Sequence, residues 1–221
     1  MARIIVTGGF GALGRALCAE LAARGHALAV VDLAPAPADF SGVAFAAIDL
    51  TDEVAVTKAY ADAAQQMGGI DGVVNVAGGF LWERMSDGAI GTWDDMYKMN
   101  VRTAALSCRA ALPHLKAGSA IVNIGAAGAA NAASGMAPYA ASKAGVLALT
   151  QGLADELRGK GIRVNAVLPT ILDTPANRRD MPDADTSQWV QPQAAAKVIA
   201  FLLSDEAACI TGQGLTLSAR G

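Results

Sequence analysis

A chain of 221 residues, 53% of them hydrophobic, can bury one sizeable core and leaves little room for another, so residues 1–221 are expected to form a single domain. Its net charge of −3 gives no general attraction to nucleic acid or to an anionic membrane, which leaves small molecules as the expected ligands. No apolar run approaches the ~20 residues of a membrane span and a strand pattern starts directly after Met1, so a cytoplasmic location is expected.

The first strand, Arg3 to Thr7, runs into Thr7-Gly8-Gly9-Phe10-Gly11-Ala12-Leu13-Gly14, and a helical pattern follows at once from Ala12 to Arg24. Gly8, Gly11 and Gly14 stand where the chain turns tightly. Backbone without Cβ atoms can approach a pyrophosphate there, and N–H groups around Phe10, Ala12 and Leu13 at the helix N-terminus can stabilise its charge. A second strand, Ala27 to Val31, ends on Asp32, 18 residues after Gly14. That carboxylate is placed to accept hydrogen bonds from the adenosine ribose and to repel a 2′-phosphate. No Lys or Arg follows before Ser41, so NAD is expected over NADP. The plainer alternative is that Asp32 only ends a strand or caps a turn.

A third strand, Ala44 to Ile48, leads to Asp49 and Leu50, a helix covers Asp52 to Met67, and a fourth strand, Gly72 to Val76, leads through Asn75 to Ala77, Gly78 and Gly79. Both strands end where open α/β sheets bind ligands, which places Asp49 near the adenine and Asn75, Ala77 and Gly78 near a cofactor ribose. Helix capping by Asp49 and ordinary turn chemistry at Asn75 are the alternatives. A helix from Trp93 to Leu115 and a strand from Ala120 to Ile124 follow, and the Ala-Gly run from Gly125 to Gly135 reads as an active-site turn.

The next helix, Pro138 to Gly159, carries Tyr139-Ala140-Ala141-Ser142-Lys143, with phenol and ammonium one turn apart on one face. The cation is expected to lower the tyrosine pKa toward working pH, for proton exchange with a substrate oxygen or nitrogen. A strand from Arg163 to Leu168 ends at Pro169. The polar, aperiodic stretch Thr170 to Gln191 is expected to be a loop over the site, before a helix from Gln193 to Ser204 and a last strand, Leu215 to Leu217. Alternation of this kind predicts a Rossmann-type, doubly wound parallel sheet of about seven strands with helices on both faces. Cys18, Cys108 and Cys209 read as small core hydrophobes, His26 and His114 as surface or helix-end residues, and no metal site is expected.

Taken in order, the glycine turn, Asp32, Asp49, Asn75 to Gly78, Asn100, Tyr139 with Lys143, and Asn165-Ala166-Val167-Leu168-Pro169 resemble the short-chain dehydrogenase/reductase family over nearly the whole chain. The resemblance implies hydride transfer between a nicotinamide and a C=O or C=N centre. It makes Tyr139 the general acid/base, Lys143 a contact for the nicotinamide ribose, Asn100 the holder of a water in the proton relay, and Thr174 a partner of the nicotinamide carboxamide beside Pro169. It also implies a homo-oligomer, a dimer or tetramer built on the helices matching Trp93 to Leu115 and Pro138 to Gly159.

Two features depart from the family pattern. The glycine turn has the T-G-x-x-G-x-x-G form of longer members, and Ala126 stands 13 residues before Tyr139, where a serine usually bonds the substrate carbonyl; Ser134 is an uncertain substitute. Dihydropteridine reductases also lack that serine, and this chain is similar to them in Gly9 to Gly14, Val76-Ala77-Gly78-Gly79-Phe80, Gly135-Met136, and Leu172 to Arg178 through Met181 to Trp189. The similarity implies a quinonoid acceptor as an alternative substrate class, and loss of the serine also fits a dinucleotide-binding protein without turnover. Ala126, Phe80 and Trp82 are the candidate substrate contacts; for Trp82, Trp93 and Trp189, packing is the plainer reading.

Overall fold

The computed structural model describes residues 1–219. Seven parallel strands form one sheet in the order β3-β2-β1-β4-β5-β6-β7. They are β1 (Arg3–Thr7), β2 (Ala27–Val31), β3 (Val43–Phe45), β4 (Gly72–Asn75), β5 (Ala120–Ile124), β6 (Arg163–Pro169) and β7 (Gly214–Leu217). Every residue of β4 and β5 is buried, because helices cover both faces, and the side chains are apolar except for the paired Asn75 and Asn123.

One face carries Ile4, Val6, Val74 and Val122 against α1 (Ala12–Ala23) and α7 (Pro192–Leu203). The other carries Ile5, Val73, Ile121 and Val164 against α2 (Glu53–Met67), α4 (Thr103–Ala111) and α5 (Ala137–Leu157). Buried Arg163 at the start of β6 donates to the carbonyls of Leu202 (2.7 Å) and Ser204 (2.9 Å), satisfying the C-terminus of α7 with a cation. The chain winds outward from β1 to β3 and returns to pair β4 with β1. This reversal opens a crevice at the carboxyl ends of β1 and β4, the place where such sheets take ligands.

Several elements differ from the sequence expectation. The third strand runs Val43–Phe45 rather than Ala44 to Ile48, and the extended run is broken by Ala47 at a positive φ of 56°. The fourth strand stops at Asn75. The helix expected from Trp93 to Leu115 consists of α3 (Ile90–Met96), a π-helical turn (Tyr97–Arg102) and α4. The stretch 170–191 is ordered: it holds α6 (Pro175–Asp180), a short 3₁₀ turn (Thr186–Gln188) and a bridge between Leu172 and Val190. Thr174 caps α6 by accepting the Asn177 N–H at 3.2 Å, and Pro175 supplies the pre-set φ of a first helical residue. Cys18 and Cys108 are buried as expected, whereas Cys209 is exposed.

Candidate active site

The turn after β1 folds tightly enough for the Gly11 N–H to donate to the Gly8 carbonyl at 3.2 Å. A Cβ on Gly14 would lie 2.2 Å from the Gly8 oxygen, so no larger residue fits without moving backbone. Gly11 is different: a Cβ there would meet only the Gly8 oxygen, at 3.5 Å, and this turn therefore keeps its outer side bare. That outer side and the start of α1 form the floor of a cleft of about 990 Å³. Gly8, Phe10, Gly11, Ala12, Leu13, Gly14, Asp32, Asp49, Leu50, Ala77, Gly78 and Thr174, all candidate cofactor residues, line it. Leu33, Ile48, Leu81 and Arg179 line it too and carried no signal in the sequence beyond their neighbours. A bare glycine turn with free N–H groups at a helix N-terminus fits the diphosphate of a dinucleotide.

Asp32 is held at the end of β2 by two backbone donors, Phe10 N–H to one oxygen and Ala34 N–H to the other, each at 2.9 Å. Each oxygen retains a lone pair for a ligand hydroxyl. Asp49 accepts from the N–H and hydroxyl of Thr51, both at 2.8 Å, which lowers its pKa; the cap of α2 is Asp52 instead. At Asn75 the expectation concerns backbone against a ribose, and the side chain has a structural task of its own. Its side chain does not reach the cleft but lies 4% exposed inside the fold, donating to Asn123 Oδ1 at 2.8 Å and accepting from the Ser107 hydroxyl, which also bonds Tyr60. Deleting one member of such a buried chain leaves its partners unsatisfied at about 1–3 kcal/mol each, a structural reason for the asparagine. Pro169 likewise sits buried in β6 beside Leu217, outside the cleft wall.

Tyr139 and Lys143 lie one turn apart on α5, with the ammonium 6.0 Å from the centre of the phenol ring. The ammonium donates at 2.9 Å to the Ile124 carbonyl at the end of β5. Lys143 is 6% exposed, and burial lowers its pKa to about 8. Phe80 meets the Tyr139 ring edge-on at 4.9 Å, and burial pushes the phenol up to about 12. The expected lowering of the phenol pKa by Lys143 is therefore corrected: desolvation dominates while the cation is engaged by a carbonyl. The phenol is protonated at neutral pH.

Asn100, in the π-helical turn, accepts from Gly79 N–H at 3.0 Å and donates to the Gly79 carbonyl (3.1 Å) and the Ser142 hydroxyl (3.0 Å). Ser142 in turn donates to the Tyr139 carbonyl at 2.7 Å. The Asn100 side chain braces the segment after β4 against the first turn of α5. A wider helical turn places it there, which accounts for the interruption between α3 and α4. Gly78 joins this cluster to the cleft. It lines the cleft, and a Cβ on it would lie 2.5 Å from Asn100 Oδ1 and 3.3 Å from Lys143 Nζ.

The family model described as enoyl-(acyl carrier protein) reductase matches residues 10–219. Among curated proteins, 2-(R)-hydroxypropyl-CoM dehydrogenase of Xanthobacter autotrophicus is 33% identical, over 98% of this chain and 97% of its own. The 2-(S)-hydroxypropyl-CoM dehydrogenase 3 of the same organism is 30% identical, over 95% and 92%. A short-chain dehydrogenase from Burkholderia cenocepacia J2315, solved in complex with NADP, superposes with a TM-score of 0.89 at 34% identity, over 98% of this chain and 96% of that one. The chain belongs to the short-chain dehydrogenase/reductase family.

Within this short-chain dehydrogenase/reductase, the departure at Ala126 is visible in space. Ala126 is extended at the end of β5, 6% exposed, and followed by a 3₁₀ turn at Ala127–Ala129. The aromatic candidates divide by surroundings. Phe80 (46% exposed) abuts Tyr139, whereas Trp82 (58% exposed) donates its indole N–H to the Ser134 carbonyl at 3.0 Å and lies against Gly135. Trp189 is 4% exposed and belongs to the core. No helix among the described residues is long and apolar enough to cross a membrane, and no group of three metal-ligating side chains forms among them.

Proposed function

We propose that this protein is an NAD(H)-preferring oxidoreductase that moves a hydride between the nicotinamide and a C=O or C=N carbon, with Tyr139 exchanging the proton. The observation that carries the reading is Gly78, which brings Lys143 and Asn100 to one end of a cleft whose other end holds Asp32. When bound, the dinucleotide supplies or accepts the hydride. Asp32 accepts from the adenosine ribose hydroxyls, the α1 N-terminus holds the diphosphate, and Thr174 and Lys143 orient the nicotinamide end. A phenol protonated at neutral pH suits Tyr139 to donating its proton in the reductive direction. Single-domain organisation and a homo-oligomer built on α4 and α5 belong to the same proposal.

Cofactor choice is the direct test, because the Burkholderia relative was solved with NADP. With the Asp32 carboxylate at the ribose, NADH is expected to bind at least about tenfold more tightly than NADPH. Asp32→Ala should bring the two affinities toward equality. Equal or tighter NADPH binding by the unaltered protein removes the role given to Asp32.

A second reading, reduction of a quinonoid acceptor, is favoured by Ala126. Such an acceptor gains conjugation on reduction and needs little stabilisation of a developing oxyanion, whereas a ketone benefits from a donor worth ~3 kcal/mol in other enzymes. Ala126→Ser is expected to raise kcat/KM for ketones and leave quinonoid reduction flat or lower. Robust ketone turnover by the unaltered enzyme, unimproved by serine, rules against the quinonoid reading. Absence of NADH oxidation with any quinonoid, quinone or carbonyl acceptor would instead favour a binding protein.

A further inference from the structure

We infer that Arg179 contacts the diphosphate of the bound dinucleotide, and that Asp173 is the positioning residue that makes α6 present it. The inference rests on the dinucleotide reading of the cleft. Two adjacent arginines on α6 have unlike surroundings. Arg178 forms a fork with Asp173, Nε to one oxygen at 2.6 Å and Nη2 to the other at 2.8 Å. Paired, planar donors of this kind fix orientation as well as charge.

Asp173 also accepts from Gln191 Nε2 at 2.8 Å, at the entry to α7. The donors hold its carboxyl down at about 2, so it is ionised throughout the working range. The backbone repeats the tie: Asp173 N–H donates to the Val190 carbonyl at 2.9 Å, and Val190 N–H to the Ile171 carbonyl at 2.7 Å. The segment that leaves β6 and returns to α7 is therefore closed at its base around one carboxylate, and α6 is fixed relative to Thr174.

The next residue along, turned about 100° around the helix, is Arg179. It lines the same cleft as Thr174 and the glycine turn, and among the described residues it forms no ion pair. The two cations of the cleft wall are Arg179 and Lys98; the acids are Asp32, Asp49 and Asp95. Asp32 already marks the ribose end and repels phosphate there. The charge a guanidinium on α6 can meet lies between Asp32 and Thr174, where the N-terminus of α1 lines the cleft.

Calorimetry on the full chain tests this with ADP-ribose, which contains the diphosphate, adenosine, which has no phosphate, and adenosine 2′-monophosphate. Arg179→Gln is expected to weaken ADP-ribose about five- to tenfold, with steep salt dependence, and to leave both other ligands unchanged. Lys98→Gln should change ADP-ribose less than about twofold. Asp173→Ala and the milder Arg178→Gln should each weaken ADP-ribose, and neither should add to the loss in an Arg179→Gln background, which a merely structural role would not produce.

Unchanged ADP-ribose affinity in Arg179→Gln overturns the assignment. So does an equal loss for adenosine, a loss confined to the 2′-monophosphate, or an equal loss in Lys98→Gln. Additive losses overturn the role of Asp173. Failure of the unaltered protein to bind ADP-ribose would sink the dinucleotide reading itself, and this contact with it.

Discussion

Replacing Tyr139 with phenylalanine is expected to reduce turnover by about 10²- to 10⁴-fold while leaving NADH affinity nearly unchanged. The change keeps the ring that Phe80 meets edge-on at 4.9 Å, so the packing of α5 against the segment after β4 survives and only the O–H is lost. The Asn100 brace is also untouched, because it reaches Tyr139 through the main-chain carbonyl and Ser142. A phenol held near 12 by burial stays protonated across the neutral range, so proton supply in the reductive direction needs no prior titration of Tyr139. Single-turnover oxidation of bound NADH isolates this step from product release. Near-normal rates in the phenylalanine variant, with a carbonyl substrate, would assign the proton to another donor.

The sheet was legible because strands buried on both faces read as short, mostly apolar runs rich in Val and Ile: β1, β2 and β5 fall on the residues expected. Asp32 and the glycine turn were legible because their chemistry is local, a strand end and the helix that follows it. What escaped depends on partners distant in sequence. The π-helical turn exists where Asn100 reaches Gly79 and Ser142, 21 and 42 residues away, and no periodicity records that. The task of the Asn75 side chain was not legible either, because its neighbour across the sheet is Asn123, and that pairing turns it into the interior. The six residues of α6 are too few for a periodic signal, although Thr174-Pro175 is a capping pair that announces a helix start. The direction of the tyrosine shift was misread because spacing puts a lysine on the same helix face without saying which atom its ammonium meets.

That ammonium gives the second large effect: Lys143→Met is expected to stabilise the protein, measured without added dinucleotide, while lowering its activity. Burial moves the Lys143 pKa from 10.5 to about 8, a shift that corresponds to a penalty of up to about 3 kcal/mol for keeping the charge inside. Methionine fills similar space without charge. It forgoes the 2.9 Å bond to the Ile124 carbonyl, a charge-assisted contact worth about 1.5–3 kcal/mol, so the net gain expected at pH 7 is at most about 1.5 kcal/mol. Below pH about 8 both folded and unfolded chains carry the lysine proton and the penalty is fully present. Between about 8 and 10.5 the unfolded chain still holds a proton that the native state has released, so the stability of the unaltered protein rises with pH relative to the variant and the gap closes. Cys18, Cys108 and Tyr139, whose pKa values burial raises, oppose this trend in both proteins and cancel in the difference. Urea titrations of the two proteins from pH 6.5 to 10 give the curve. A difference that stays constant across that range would show that Lys143 is not paying a desolvation cost, and would leave its engagement with Ile124 as a stabilising contact that the active site could retain for its own sake.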